Sequence, residues 1–196
     1  LKDIGFQPED ITDVVLTHLH FDHCGGSTSY DEKNTAVPTF PNATYHISKA
    51  QWEWALSPNS REKASFLEEN ILPLKKSGQL NLIDKPGFLF PWMELRFFNG
   101  HTEGQMIPFV NYNGRTLVYT ADLLPSVAHF SIPWVMAYDV KPLETLKEKE
   151  SFLKEAYSNG YILFFEHDLY TECCSLKNTP KGIRENEVFK LKQLNS

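Results

Sequence analysis

A chain of 196 residues is long enough to bury a sizeable core, and we expect one domain over residues 1–196. Hydrophobic residues make up 41% of the chain and charged residues 22%, which excludes a disordered chain. The net charge of −6, with no basic run, argues against nucleic acid as a partner. The sequence has no apolar run long enough to cross a membrane, so we expect no membrane partner either.

The cysteine count and the first residues bear on cellular context. Three cysteines are an odd number, and two of them are adjacent, which is not typical of a disulfide framework. We therefore expect reduced thiols and a cytoplasmic location. The chain starts at Leu1 rather than Met, in sequence that resembles the middle of a helix, so we expect further residues ahead of it. Whether they include a targeting signal stays open, and so does the choice between monomer and homodimer.

The first strongly patterned stretch covers residues 14–26. Its apolar start at 14–16 predicts a buried strand. Three imidazoles and a carboxylate follow within six positions: His18, His20, Asp22 and His23. Residues two apart in an extended chain point to the same side, so His18 and His20 face one site. This combination is typical of ligands to zinc or a similar divalent ion.

The remaining elements follow from apolar periodicity and turn residues. Helices are predicted at 49–56, 60–76 and 142–157. Strands are predicted at 43–47, 80–83, 87–90, 93–98, 105–112, 115–120 and 161–165. Asn113-Gly114 between two apolar alternating runs is the strongest short signal of a β-hairpin. Residues 27–43 and 123–140 predict long irregular loops, and 169–196 is ambiguous between strands and a helix.

Three more potential ligands stand just past the ends of later strands. These residues are His101, Asp122 and His167. Because strand ends at one edge of a sheet can converge, they can share a site with the first cluster. Seven ligands are too many for one tetrahedral zinc, but they match two ions that share a carboxylate.

The order His18-x-His20-x-Asp22-His23, then His101, Asp122 and His167, resembles the metallo-β-lactamase-fold hydrolase superfamily. The resemblance implies an α/β fold, the αββα sandwich, here without its N-terminal strands. It also implies two divalent metal ions, with zinc as the default and manganese, iron or cobalt compatible with the same ligands. The implied ligands are His18, His20 and His101 for the first ion, Asp22, His23 and His167 for the second, and Asp122 as the bridge.

The implied chemistry is hydrolysis by a hydroxide that bridges the two metals. Asp22 and Asp122 would orient the water or pass a proton to the leaving group. The β-lactamase branch carries cysteine at the Asp122 position, so an aspartate favours the other hydrolase branches. We expect Cys24 to be a small buried residue rather than a ligand.

The segments 121–129, 134–139 and 164–168 resemble quorum-quenching lactonases, whose relatives include organophosphate hydrolases. We therefore expect a small-molecule substrate with a lactone or carboxyl ester bond. A phosphotriester, a glyoxalase II-like thioester and a non-catalytic metal-binding module are the alternatives. The best-known lactonases carry tyrosine three residues after the bridging aspartate, where Pro125 stands here. His129 is a candidate replacement that could bond the substrate or protonate a leaving group.

Other polar and aromatic residues have a structural interpretation beside the functional one. His46 lies in a predicted strand, and we expect a structural role. A group of apolar residues either walls a substrate pocket or belongs to the core: Phe21, Phe130, Trp134 and Met136. Tyr138 and Asp139 either tie down the irregular loop or touch the substrate.

Overall fold

The computed structural model describes residues 1–195, which form two compact units, Leu1–Lys85 and the part from Pro86 onward. Each unit carries its own sheets and helices. None of the helices in this described range combines the length and the apolar character needed to span a membrane.

The first unit contains a small parallel sheet and a hairpin. Its strands are β1 (Asp13–Val15), β2 (Thr28–Tyr30), β3 (Ala36–Pro38), β4 (Thr44–Ser48) and β5 (Leu80–Ile83). Its α-helices are α1 (Phe21–Cys24), α2 (Lys49–Leu56) and α3 (Glu68–Ser77). The parallel sheet has the order β1-β4-β5, and β2 pairs with β3 in an antiparallel hairpin.

The predicted loop over residues 27–43 is partly wrong, because it contains the β2-β3 hairpin. A side chain makes the turn: Asp31 Oδ1 accepts the backbone N–H groups of Lys33 and Thr35. Asn34 takes a left-handed φ of 57°, which asparagine tolerates better than most residues. These side-chain hydrogen bonds and the left-handed asparagine stabilise the turn, so this polar segment forms a hairpin.

The helix predicted at 60–76 begins later, at Glu68. Asn59 Oδ1 accepts the backbone N–H groups of Arg61 and Glu62, and this side-chain turn competes with helix formation. A short 3₁₀ turn at Lys63–Ser65 follows. The predicted end is confirmed, since Gly78 takes a left-handed φ of 78° directly after α3.

The second unit is built on a seven-stranded sheet. Its strands are β6 (Gly87–Phe90), β7 (Met93–Phe98), β8 (Gln105–Tyr112), β9 (Arg115–Tyr119), β10 (Ile162–Phe164), β11 (Cys173–Thr179) and β12 (Gly182–Phe189). Their order is β12-β11-β10-β9-β8-β7-β6. The predicted β8-β9 hairpin is confirmed, with left-handed φ values at both Asn113 and Gly114. The ambiguous tail forms the β11-β12 hairpin.

One long helix, α4 (Pro142–Ser158), packs on this sheet. Its Phe152 and Leu153 join Val118 and Leu163 in the main hydrophobic cluster of the unit. Strands β7, β9 and β10 run in one direction, because β8 is antiparallel to β7 and β9 while β10 is parallel to β9. Their carboxyl ends therefore meet at one edge of the sheet.

Candidate metal centre

Asp122 lies between two imidazoles at that edge. One carboxylate oxygen, Oδ2, is 3.0 Å from Nε2 of His101, and the other, Oδ1, is 3.2 Å from Nε2 of His167. The side chain of Asp122 is 6% exposed, and that of His167 is 37% exposed. A carboxylate with one oxygen beside each of two imidazoles could be shared by two metal ions.

The turn that presents Asp122 is tightly held. The Oγ1 hydroxyl of Thr120 lies 2.8 Å from the carbonyl oxygen of Leu124 and 3.1 Å from that of Phe164. Ala121, which is fully buried, takes a left-handed φ of 39°, a conformation that costs free energy for a residue with a Cβ. Such strain persists because the hydrogen bonds and packing around it over-determine the turn.

His101 is buried between two carboxylates. Its Nε2 faces Asp122, and its Nδ1 lies 2.9 Å from Oδ1 of Asp139. Burial disfavours the imidazolium, but hydrogen bonds to Asp122 and Asp139 outweigh it and raise the pKa of His101 to about 9. The site therefore favours a positive charge at the place where a metal ion would compete with the proton.

Helix α4 fixes the segment that carries His101. Glu148 accepts the backbone N–H groups of Asn99 and Gly100 at 2.7 and 2.9 Å. A Cβ on Gly100 would lie 2.5 Å from the backbone nitrogen of Thr145. Only glycine therefore allows this approach between the segment and the helix.

In the first unit, the motif after β1 brings its side chains together. The ring centroids of His18 and His20 are 4.7 Å apart, and those of His18 and His23 are 3.9 Å apart. Oδ2 of Asp22 lies 3.6 Å from Nε2 of His23. His18 and His20 are buried, whereas Asp22 is exposed. Contacts among their side chains thus link the four motif residues to one another.

Neighbouring polar groups hold two of these rings. Oγ1 of Thr17 lies 3.2 Å from Nδ1 of His18, and Oε1 of Glu62 lies 3.1 Å from Nε2 of His20. Metal-binding histidines commonly bond a carboxylate or hydroxyl through the nitrogen that does not bind the metal. Together with Asp139 behind His101, these contacts make the ligand residues of each unit fit divalent metal ions.

His129 lies close to Asp122, in a short 3₁₀ helix over Val127–Phe130. Its Nδ1 is 2.9 Å from Oγ of Ser126, and its half-buried ring packs in a narrow cluster with Asp122, Pro125 and other residues. Burial and the nearby Lys149 ammonium lower the pKa of His129. A neutral imidazole beside the predicted bridge can donate or accept a hydrogen bond.

The apolar and aromatic candidates differ in burial, since one lies in the core and others are exposed. Phe130 is 1% exposed and belongs to the main hydrophobic cluster, which is the core interpretation given for it above. Phe21 and Trp134 are 50% and 60% exposed, and Tyr138 is also exposed. Met136 is half-buried beside His129.

The structural interpretations of two further residues are confirmed. Both ring nitrogens of His46 are engaged, at 2.8 Å from Oδ1 of Asp13 and 2.9 Å from Nδ2 of Asn81. Cys24 is fully buried, its Sγ lies 3.3 Å from the carbonyl oxygen of Leu19, and burial raises the pKa of its thiol to about 12.

Comparison with known families places this geometry in context. The profile of the Metallo-beta-lactamase superfamily matches residues 1–167, so the chain belongs to that superfamily. This confirms the family resemblance and the predicted mixed α/β fold class.

Individual relatives point to hydrolases. The chain is 28% identical over 176 residues to an N-acyl homoserine lactonase of Bacillus cereus, a match that covers 88% of this chain and 62% of that protein. The fold is similar to that of a probable metal-dependent hydrolase from Staphylococcus aureus, with a TM-score of 0.83 and 27% identity over 96% of this chain and 67% of the other. AidC, a dizinc quorum-quenching lactonase solved with a product, gives a TM-score of 0.78 at 26% identity, covering 96% and 68%. The chain thus spans about three fifths of the length of the curated relatives.

Proposed function

We propose that this protein is a metal-dependent hydrolase that cleaves an ester-like bond, in a lactone or a carboxyl ester, with two divalent metal ions. The observation that carries the proposal is the position of Asp122, with one carboxylate oxygen on His101 and the other on His167. Membership of the superfamily and the similarity to an N-acyl homoserine lactonase support the same chemistry.

This proposal keeps the ligand set that the family resemblance implies and the single domain expected over residues 1–196. His18, His20 and His101 would hold the first ion, Asp22, His23 and His167 would hold the second, and Asp122 would be shared between the two. Zinc is the expected metal, since a structural neighbour is a dizinc lactonase and the ligands are imidazoles and carboxylates. When bound, two such ions would acidify a shared water and polarise the carbonyl oxygen of the substrate.

The protein's own residues then orient the reacting groups. The buried Asp122 carboxylate is oriented by His101 and His167, and the hydrogen bonds of Thr120 hold the turn that carries it. The Asp22 side chain is 45% exposed and could pass a proton to the leaving group. His129, beside Asp122, could bond the substrate and so take the role that the resemblance gives to a tyrosine of known lactonases.

A substrate panel tests the proposal. N-acyl homoserine lactones of several chain lengths, aryl carboxyl esters, a paraoxon-type triester and S-lactoylglutathione are assayed with zinc-loaded protein and with protein stripped by a chelator. We expect hydrolysis of a lactone or carboxyl ester that is lost on stripping and returns with zinc. Turnover confined to the triester or the thioester would overturn the substrate class. Chelator-insensitive turnover, or none on any substrate, would overturn the hydrolase proposal itself.

A further inference from the structure

Glu62 is a buried carboxylate that contacts a residue of the histidine motif. Its side chain is 3% exposed, and Oε1 lies 3.1 Å from Nε2 of His20. The second oxygen, Oε2, accepts hydrogen bonds from Nε1 of Trp54 at 2.6 Å and from Nδ2 of Asn59 at 2.7 Å. Burial removes the hydration of a carboxylate, and the hydrogen-bond donors around Glu62 offset that loss.

The residues around Glu62 are themselves held by secondary structure and hydrogen bonds. Trp54 lies on α2, and Asn59 also accepts the backbone N–H of Glu62 through Oδ1 at 3.1 Å. The ring of Phe66 packs near that of His20, with centroids 5.0 Å apart. The imidazole is therefore restrained by a carboxylate at one nitrogen and by an aromatic ring beside it.

We propose that Glu62 is a positioning residue for His20. Its Oε1 accepts a hydrogen bond from the Nε2–H of His20, which fixes the tautomer in which Nδ1 is the unprotonated nitrogen that binds metal. Trp54 and Asn59 hold the carboxylate in place through their hydrogen bonds to Oε2. The inference rests on the proposed function, because it assigns His20 to the first metal ion.

This role has a consequence separate from folding. A carboxylate behind a metal-binding histidine raises the basicity of the ring and orients it, and removal of such a partner costs about 10–100-fold in metal affinity or activity. Loss of Glu62 should therefore weaken the first metal site while the second, which does not include His20, keeps its affinity.

The test compares Glu62→Gln with a matched control, Glu53→Gln, at an exposed position of α2. Zinc affinity is measured by chelator competition, the Co²⁺-substituted protein is followed by its visible absorption spectrum, and metal-free protein is followed by thermal unfolding. We expect Glu62→Gln to weaken one zinc site about 10–100-fold and to alter the Co²⁺ bands. Glu53→Gln should match the wild type in all three measurements.

A second variant keeps the test decisive if Glu62→Gln fails to fold. Trp54→Phe keeps an aromatic ring at this position and leaves Glu62 unchanged, but it removes one hydrogen-bond donor to the Glu62 carboxylate. We therefore expect a smaller loss of zinc affinity at the same site. Wild-type affinity and spectra in whichever of these variants folds would overturn the role of Glu62. A wild-type protein that binds no zinc would instead overturn the proposed function, so the two failures are distinguishable.

Discussion

Oδ1 of Asp139 lies 2.9 Å from Nδ1 of His101, at the ring nitrogen opposite the one that faces Asp122. This buried carboxylate orients the imidazole and would leave Nε2 as the nitrogen for a metal ion. We expect Asp139→Asn to weaken zinc binding about 10–100-fold, since the amide keeps the shape but not the charge. Chelator competition measures the loss. Asp84→Asn, at an exposed position, is the control, and equal affinities in the two variants would contradict the role of Asp139.

Gly100 allows the close approach of the His101 segment to α4. In Gly100→Ala the new Cβ would fall 2.5 Å from the backbone of Thr145, so the segment or the helix has to move. We expect the free energy of unfolding to fall by about 1–3 kcal/mol, the usual cost of overpacking. Urea denaturation measures it. Gly26→Ala is the matched control, because a Cβ there has no atom within 4 Å among the described residues, and a similar loss in both variants would argue against the clash.

The buried Lys149 should make the free energy of unfolding depend on pH. Its side chain is fully buried, and Nζ donates to the carbonyl oxygens of Ser131 and Trp134. Burial lowers the pKa of this ammonium to about 8, against 10.5 for an ordinary lysine. Between these two pH values the unfolded chain binds the extra proton, so stability should rise with pH across that window.

The matched variant is Lys149→Met, which keeps the length of the side chain and removes the titration. The stability difference between wild type and variant should shift in favour of the wild type from pH 8 to 10, by an amount on the order of 3 kcal/mol at most. Thermal unfolding at several pH values measures this. A difference that stays flat over the window would show that Lys149 is not held at a lowered pKa.

The candidate ligand residues could be picked out from the sequence because their signal is local. The four residues of the first motif follow one strand, and each of the three later ligands follows another strand. Parallel β9 and β10 bring Asp122 to His167, and this pairing follows from strand order rather than from any residue near the ligands. The hairpin at Asn113-Gly114 could be predicted as well, because its turn requires left-handed φ values that asparagine and glycine tolerate.

The residues that hold the ligands could not be predicted in the same way. Glu62 lies 42 positions from His20, in a segment that the apolar pattern assigned to a helix. The Asn59 side-chain turn determines its place, and turn chemistry of this kind is easily hidden inside a helical pattern. The burial of Lys149 is easier to predict from the sequence, because its position in α4 lies on the same buried face as Thr145 and Phe152.

The zinc content of the wild type and of Asp122→Ala, measured side by side after loading and removal of free metal, tests the central claim. If Asp122 bridges two ions, the wild type should retain two zinc ions per chain and the variant at most one, because each ion loses a ligand. Fewer than one ion in the wild type, or two retained in Asp122→Ala, would contradict a dinuclear centre bridged by this carboxylate.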